Sequence, residues 1–162
     1  MEHLESTVLS VSPQETFNLG KKIGESLQGG EVICLYGDLG AGKTVLAKGL
    51  GRGLGVEAEI TSPTFTLIQE YESPSKGLRF IHMDLYRLTS PEEAEIIGVT
   101  DYFQDDCVCL LEWPEIIEDL LPPDHWQVRI EGSGDLPRHI RLLAAKQGEK
   151  INENLNIVYR DN

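Results

Sequence analysis

With 162 residues the chain is long enough to bury a full α/β core in one domain, without disulfide or metal staples. Its 27 acidic against 14 basic side chains give a formal charge of −13, which argues against the broad basic face that duplex or transfer-RNA binding requires, so that any contact with RNA would run through a partner. Cys34, Cys107 and Cys109 each lie in an apolar run and read as reduced core thiols; the acidic N-terminus and the lack of a membrane-length apolar run lead us to expect a cytoplasmic protein without membrane attachment.

Residues 6 to 11 carry β-branched side chains suited to an edge strand. Ser12-Pro13-Gln14-Glu15 then combines an N-cap serine, a first-turn proline and a capping-box glutamate, which predicts a helix over 13–27 with Phe17, Leu19, Ile23 and Leu27 largely on one face. Gly29-Gly30 closes that segment, and the apolar run 31–36 reads as a buried strand. A second helix is expected over 43–54 despite Gly49, Gly51 and Gly53. Each of these costs about 1 kcal/mol of helix propensity relative to alanine, and close packing of the helix on the sheet is the expected reason for them.

Runs 65–71 and 78–84, separated by a turn-rich insert, read as a hairpin. Ser90-Pro91-Glu92-Glu93 repeats the helix-start signature, with Gly98 as the stop. Residues 107–111 read as another buried strand, 114–121 as a short helical stretch, and 126–131 with 139–143 as a second hairpin. From Ala145 onward the chain is mostly polar, so residues 1–145 are expected to form the domain and 146–162 a mobile tail. Several strands follow one another without a crossover helix. The expected fold class is therefore α/β with a central mixed sheet flanked by helices.

Gly37-Asp38-Leu39-Gly40-Ala41-Gly42-Lys43-Thr44, between the buried strand and the second helix, fits the phosphate-loop pattern G-x-x-x-x-G-K-[ST]. Glycines let successive backbone N–H groups turn inward around an anion, and the helix N-terminus adds positive potential. In this scheme Lys43 reaches the outer phosphates and the Thr44 hydroxyl ligates Mg²⁺, so the cofactors expected are ATP or ADP and Mg²⁺. Phosphoryl chemistry also needs carboxylates at strand ends near the loop, and Asp84 and Glu112 each follow an apolar run in that manner. Both are candidates for holding metal or positioning the attacking water. Thr64, in Ser62-Pro63-Thr64-Phe65, suits either a triphosphate-sensing switch or a simple hydroxyl-capped turn. His82 reads as a satisfied core histidine, Trp113 as a lid over the site or core filler, and Arg79 and Arg87 as surface ion-pair partners rather than arginine fingers.

Taken in order, GDLGAGKT at 37–44, SPTF at 62–65, HMDLYRL at 82–88 and LEWPE at 111–115 resemble the TsaE (YjeE-type) family of P-loop ATPases. The resemblance spans about residues 11–143; Gly51 and Gly53 depart from it and the tail carries none of it. It implies a P-loop NTPase fold and a partner-dependent ATPase in the formation of N6-threonylcarbamoyladenosine in tRNA. In that setting TsaD, with TsaB, transfers the threonylcarbamoyl group, and ATP hydrolysis resets their assembly between turnovers. By position, residues 38–44 and Trp113 would contact the nucleotide, Thr44, Asp84 and Glu112 the metal or water, and Thr64 would act in the switch segment. No water-orienting glutamine stands out, so slow hydrolysis by the isolated protein is expected. A small-molecule kinase is the rival, weakened by the lack of an Arg-rich lid, and guanine specificity is disfavoured because no Asn-Lys-x-Asp segment occurs.

Overall fold

The computed structural model describes residues 3–63 and 66–145. Seven strands form one sheet: β1 (His3–Ser10), β2 (Val32–Tyr36), β3 (Ile68–Ser73), β4 (Leu78–Asp84), β5 (Cys107–Glu112), β6 (Trp126–Glu131) and β7 (Arg138–Ala145), in the spatial order β1-β7-β6-β2-β5-β4-β3. The four inner strands β6, β2, β5 and β4 are mutually parallel, whereas β7, β1 and β3 join antiparallel at the two sides. The sheet is thus mixed, with both predicted hairpins present and β1 on an edge.

Side-chain alternation along the strands decides the layers. In β5, Val108 and Leu110 face one cluster, built with Leu19, Ile23, Leu46 and Leu50 of helices α1 (Pro13–Ser26) and α2 (Lys43–Gly53); Cys107, Cys109 and Leu111 face the other, with Ala94 of helix α3 (Pro91–Ile96), Val99 and Ile117. Every residue of β5 is buried, as its unbroken apolar run requires of a strand covered on both faces. Helix starts follow the predicted chemistry, since the Ser12 and Ser90 hydroxyls accept from the Glu15 and Glu93 N–H groups at 3.1 and 3.2 Å. The stretch expected to be helical after Pro114 is a 3₁₀ segment, Pro114–Leu120.

The helix glycines depart from the sequence expectation in an instructive way. A Cβ on Gly49 would lie 2.1 Å from the Phe17 carbonyl oxygen, and one on Gly53 2.1 Å from that of Lys21. The reciprocal contacts come from Gly20 and Gly24, whose added Cβ atoms would stand 2.4 and 2.2 Å from the Leu46 and Leu50 oxygens. These glycines therefore serve helix-on-helix contact between α1 and α2, not helix-on-sheet contact. Only Gly51 faces the sheet side, against Ile60 and Phe80.

Among the described residues no helix is long and apolar enough to cross a membrane. Thr64 and the expected tail, residues 146–162, lie outside the described residues.

Candidate nucleotide site

β2 ends at Tyr36 and α2 begins at Lys43, so the phosphate loop crosses the carboxyl end of the parallel strands. Gly40 (φ 82°) and Gly42 (φ 106°) hold left-handed backbone that a side chain would strain. Gly42 caps α2 with no side-chain hydrogen bond, which leaves the first N–H groups of an 11-residue helix without the usual capping oxygen. An anion satisfies that arrangement. Inside the loop the Ala41 N–H donates to the Asp38 carbonyl at 3.1 Å, while Leu39 stands 86% exposed at its tip.

The same strand alternation that builds the core brings three polar side chains onto the α2 face. In β4 the series Leu78, Phe80, His82, Asp84 shares one side, and in β5 the series Val108, Leu110, Glu112 shares it too. Register then sets Asp84 directly opposite Glu112, with Glu112 also opposite Leu35 of β2, two residues before the loop begins. Glu112 is 4% exposed and touches two nitrogens. Its Oε1 lies 3.7 Å from Lys43 Nζ, and its Oε2 lies 2.7 Å from Nε2 of the fully buried His82. Asp84 is half-buried, and its Oδ1 accepts from the Tyr86 N–H at 3.0 Å.

Trp113 follows Glu112 with φ 55°, a left-handed conformation that is an outlier for so bulky a residue. That turn throws its ring over the loop lysine, with Lys43 Nζ 4.3 Å from the ring centroid, and against Tyr86 at 5.1 Å between centroids. The ring roofs a cavity of about 600 Å³ lined by Asp38, Leu39, Leu67, Asp84, Tyr86, Arg87 and Trp113. A second cavity, of about 410 Å³, opens on the far side of the loop between Ser10, Val11, Thr16, Gly42, Val45 and Arg138.

Arg138 was not singled out by sequence. Its guanidinium donates from Nε to the Ala41 carbonyl at 3.0 Å and from the second amino group to the Gly40 carbonyl at 3.2 Å, bracing the loop from the β6–β7 hairpin. The only sequence signal was its place just after the hairpin turn, nearly a hundred residues from the loop. Arg79 sits at the opposite end of β4 from Asp84, five residues or roughly 17 Å away, and pairs with Glu70 at 3.1 Å and Asp106 at 3.5 Å. It is a surface ion-pair partner, as read, whereas Arg87 lines the cavity beside Asp84.

The donor set fits Mg²⁺. The Thr44 hydroxyl at the loop and the carboxylates of Asp84 and Glu112 are hard oxygen ligands, but among the described residues no cluster of three or more His, Cys, Asp or Glu side chains could hold an ion. Mg²⁺ is commonly held by one or two carboxylates and completed by phosphate oxygens. The thiols are not part of it. All three cysteines are free and buried, and burial, followed by the Glu115 and Glu118 charges, pushes Cys34 up to about 12.

The model for the family described as threonylcarbamoyl adenosine biosynthesis protein TsaE matches residues 10–140. The chain is 42% identical over 135 residues to the tRNA threonylcarbamoyladenosine biosynthesis protein TsaE of Bacillus subtilis, covering 83% of each chain. It is also 42% identical over 130 residues to that of Haemophilus influenzae, covering 77% of this chain and 80% of the relative. The solved structure of Bacillus subtilis YdiB superimposes with a TM-score of 0.77 at 34% identity, over 100% of this chain and 99% of that one. The fold is that of a P-loop NTPase.

Proposed function

Because this chain belongs to the TsaE family, whose members act in tRNA threonylcarbamoyladenosine biosynthesis, we propose that it is an ATPase whose hydrolysis of ATP resets a TsaB–TsaD transferase assembly between turnovers. The observation that carries this reading is the convergence of Lys43, Glu112 and Asp84 on the uncapped end of α2 beneath a phosphate-loop sequence.

The chemistry follows from that arrangement. The loop N–H groups and Lys43 stabilise charge on the transferred phosphoryl group, and a buried carboxylate within reach of the outer phosphate orients the attacking water and takes its proton. Glu112 is the group for that role, being nearest to Lys43, and Asp84 is left to the metal. Mg²⁺, held by Thr44 with Asp84, would supply neutralisation of charge on the β and γ phosphates. Since these groups mark the terminal-phosphate end of the loop, the nucleoside belongs at the other end, where the cavity between α1 and Arg138 offers about 410 Å³. Lys43 is held by Glu112 and Trp113 in this conformation and has to turn toward phosphate for the reaction. A partner that orders Trp113 and the loop would accelerate hydrolysis.

The charge of −13 supports docking on the enzymes that carry tRNA rather than on tRNA itself. The test is tRNA threonylcarbamoylation by TsaB and TsaD under multiple-turnover conditions, with this protein intact or as Lys43→Ala. Sustained turnover with the intact protein alone is expected; equal turnover with both, or with neither, rejects the reading.

A further inference from the structure

We infer that His82 is a positioning residue for the carboxylate of Glu112, an assignment that rests on the ATPase reading above. His82 lies in the middle of β4, completely buried, and its ring stacks beside Phe80 with centroids 6.1 Å apart. A histidine whose only task is to fill core has no need of a carboxyl group held against it by strand register. Here Nε2 lies 2.7 Å from Glu112 Oε2, the distance of a charge-assisted hydrogen bond, and Nδ1 has no hydrogen-bond partner among the described residues. A proton on Nδ1 would therefore be buried without an acceptor, so the ring is the Nε2–H tautomer, donating to the carboxylate.

The consequence lies on the other carboxylate oxygen. With Oε2 fixed by the imidazole, Oε1 is the oxygen turned toward Lys43 and the loop, at 3.7 Å, and is the one available to the attacking water. Phe80 and the register of β4 against β5 hold the ring, and the ring holds the carboxylate. Without that donor the Glu112 carboxylate is free to rotate, and neither oxygen keeps the place from which it takes a proton from the attacking water. Hydrogen-bonding partners of this kind, one layer behind the reacting groups, are commonly worth 10- to 100-fold in activity.

The test combines kinetics with a readout that does not depend on turnover. In the full protein with its partners, His82→Leu is expected to lower kcat by roughly 10- to 100-fold while the Kd for a fluorescent ATP analogue changes by less than about threefold. His82→Gln, whose amide nitrogen reaches the place of Nε2, is expected to recover most of the rate, and His82→Asn, which reaches only the place of Nδ1, is not. In a Glu112→Gln background, His82→Leu is expected to add no further loss in kcat, because the carboxylate it serves has gone. Equal losses in both backgrounds, or wild-type kcat in His82→Leu, overturn the inference.

Nitrogen-15 NMR of the unsubstituted protein, in which His82 is one of four histidines, reports the tautomer even if a variant fails to fold. An Nε2–H imidazole whose signal moves in Glu112→Gln is expected, and an Nδ1–H imidazole overturns the assignment. If the wild-type complex hydrolyses no ATP, the activity reading fails by itself, and the NMR result still decides whether His82 holds Glu112.

Discussion

Lys43 Nζ and Glu112 Oε1 stand 3.7 Å apart with both side chains more than nine-tenths buried, so the phosphate-loop lysine is held by a site carboxylate in this conformation. Charge pairs so removed from water are costly to break from one side, because the remaining ion is left without a partner. A nucleotide's phosphates offer Lys43 a replacement. Glu112→Gln is therefore expected to bind ATP at least as tightly as the parent, since its lysine is already released, while hydrolysis falls by about 100-fold or more. Equilibrium nucleotide binding alongside single-turnover hydrolysis checks both halves. Weaker binding in Glu112→Gln would contradict the competition.

Trp113 should report that exchange optically. The chain has two tryptophans, and Trp126 is wholly buried, so a fluorescence change on adding ATP belongs to the ring 4.3 Å from Lys43 Nζ. The change is expected in the parent and absent in Lys43→Ala. Trp113→Ala removes a cation–π contact worth about 0.5–2 kcal/mol, and is expected to alter hydrolysis more than thermal stability.

Packing between α1 and α2 predicts a sharp loss at one methyl group. A Cβ on Gly49 would meet a backbone oxygen at 2.1 Å, which no side-chain rotation relieves. Gly49→Ala is expected to destabilise the fold by about 1–3 kcal/mol despite alanine's better helix propensity, read as a lowered Tm. At Gly40 a Cβ meets nothing within 4 Å, and only the left-handed backbone objects, at about 1–2 kcal/mol. Gly40→Ala should therefore cost nucleotide binding more than Tm.

Arg138 braces the loop through the Gly40 and Ala41 carbonyls. Hydrogen bonds to a charged donor contribute about 1.5–3 kcal/mol when shielded, and partial exposure here reduces that. Arg138→Ala is expected to weaken ATP binding by roughly fivefold to tenfold, and Arg138→Lys to recover little, because one ammonium cannot span both oxygens. Titration calorimetry gives the comparison.

The thiols define a pH window. Burial raises Cys34 from 9.0 to about 12 and raises Cys109 further, so both stay protonated and unreactive toward thiol reagents at pH 8 until the protein unfolds. Because the folded-state values lie above the unfolded ones, the stabilising effect is complete below pH 9 and is lost as pH climbs from 9 toward 12. Urea melts across that range should show falling stability. Rapid labelling of the native protein at pH 8 would contradict the burial argument.

Much of this molecule is legible from local chemistry. Serine caps at 12 and 90 mark helix starts, apolar runs ending in Asp84 and Glu112 mark buried strands delivering acids, and the Gly-rich run before Lys43 marks the turn from β2 into α2. Each signal spans a few residues, because capping, alternation and positive-φ glycine are short-range effects. Local sequence could not say which strands would lie side by side. Only the register of β4 on β5 places Asp84 opposite Glu112, and only the shared face of both strands sets His82, read from sequence as a satisfied core histidine, 2.7 Å from the Glu112 carboxyl group. The same holds for Arg138 on the loop and for Gly20 and Gly24 against α2, contacts between segments far apart in the chain. Such pairings are decided by how the layers pack, where backbone approach and strand register leave one arrangement that buries both faces of the sheet.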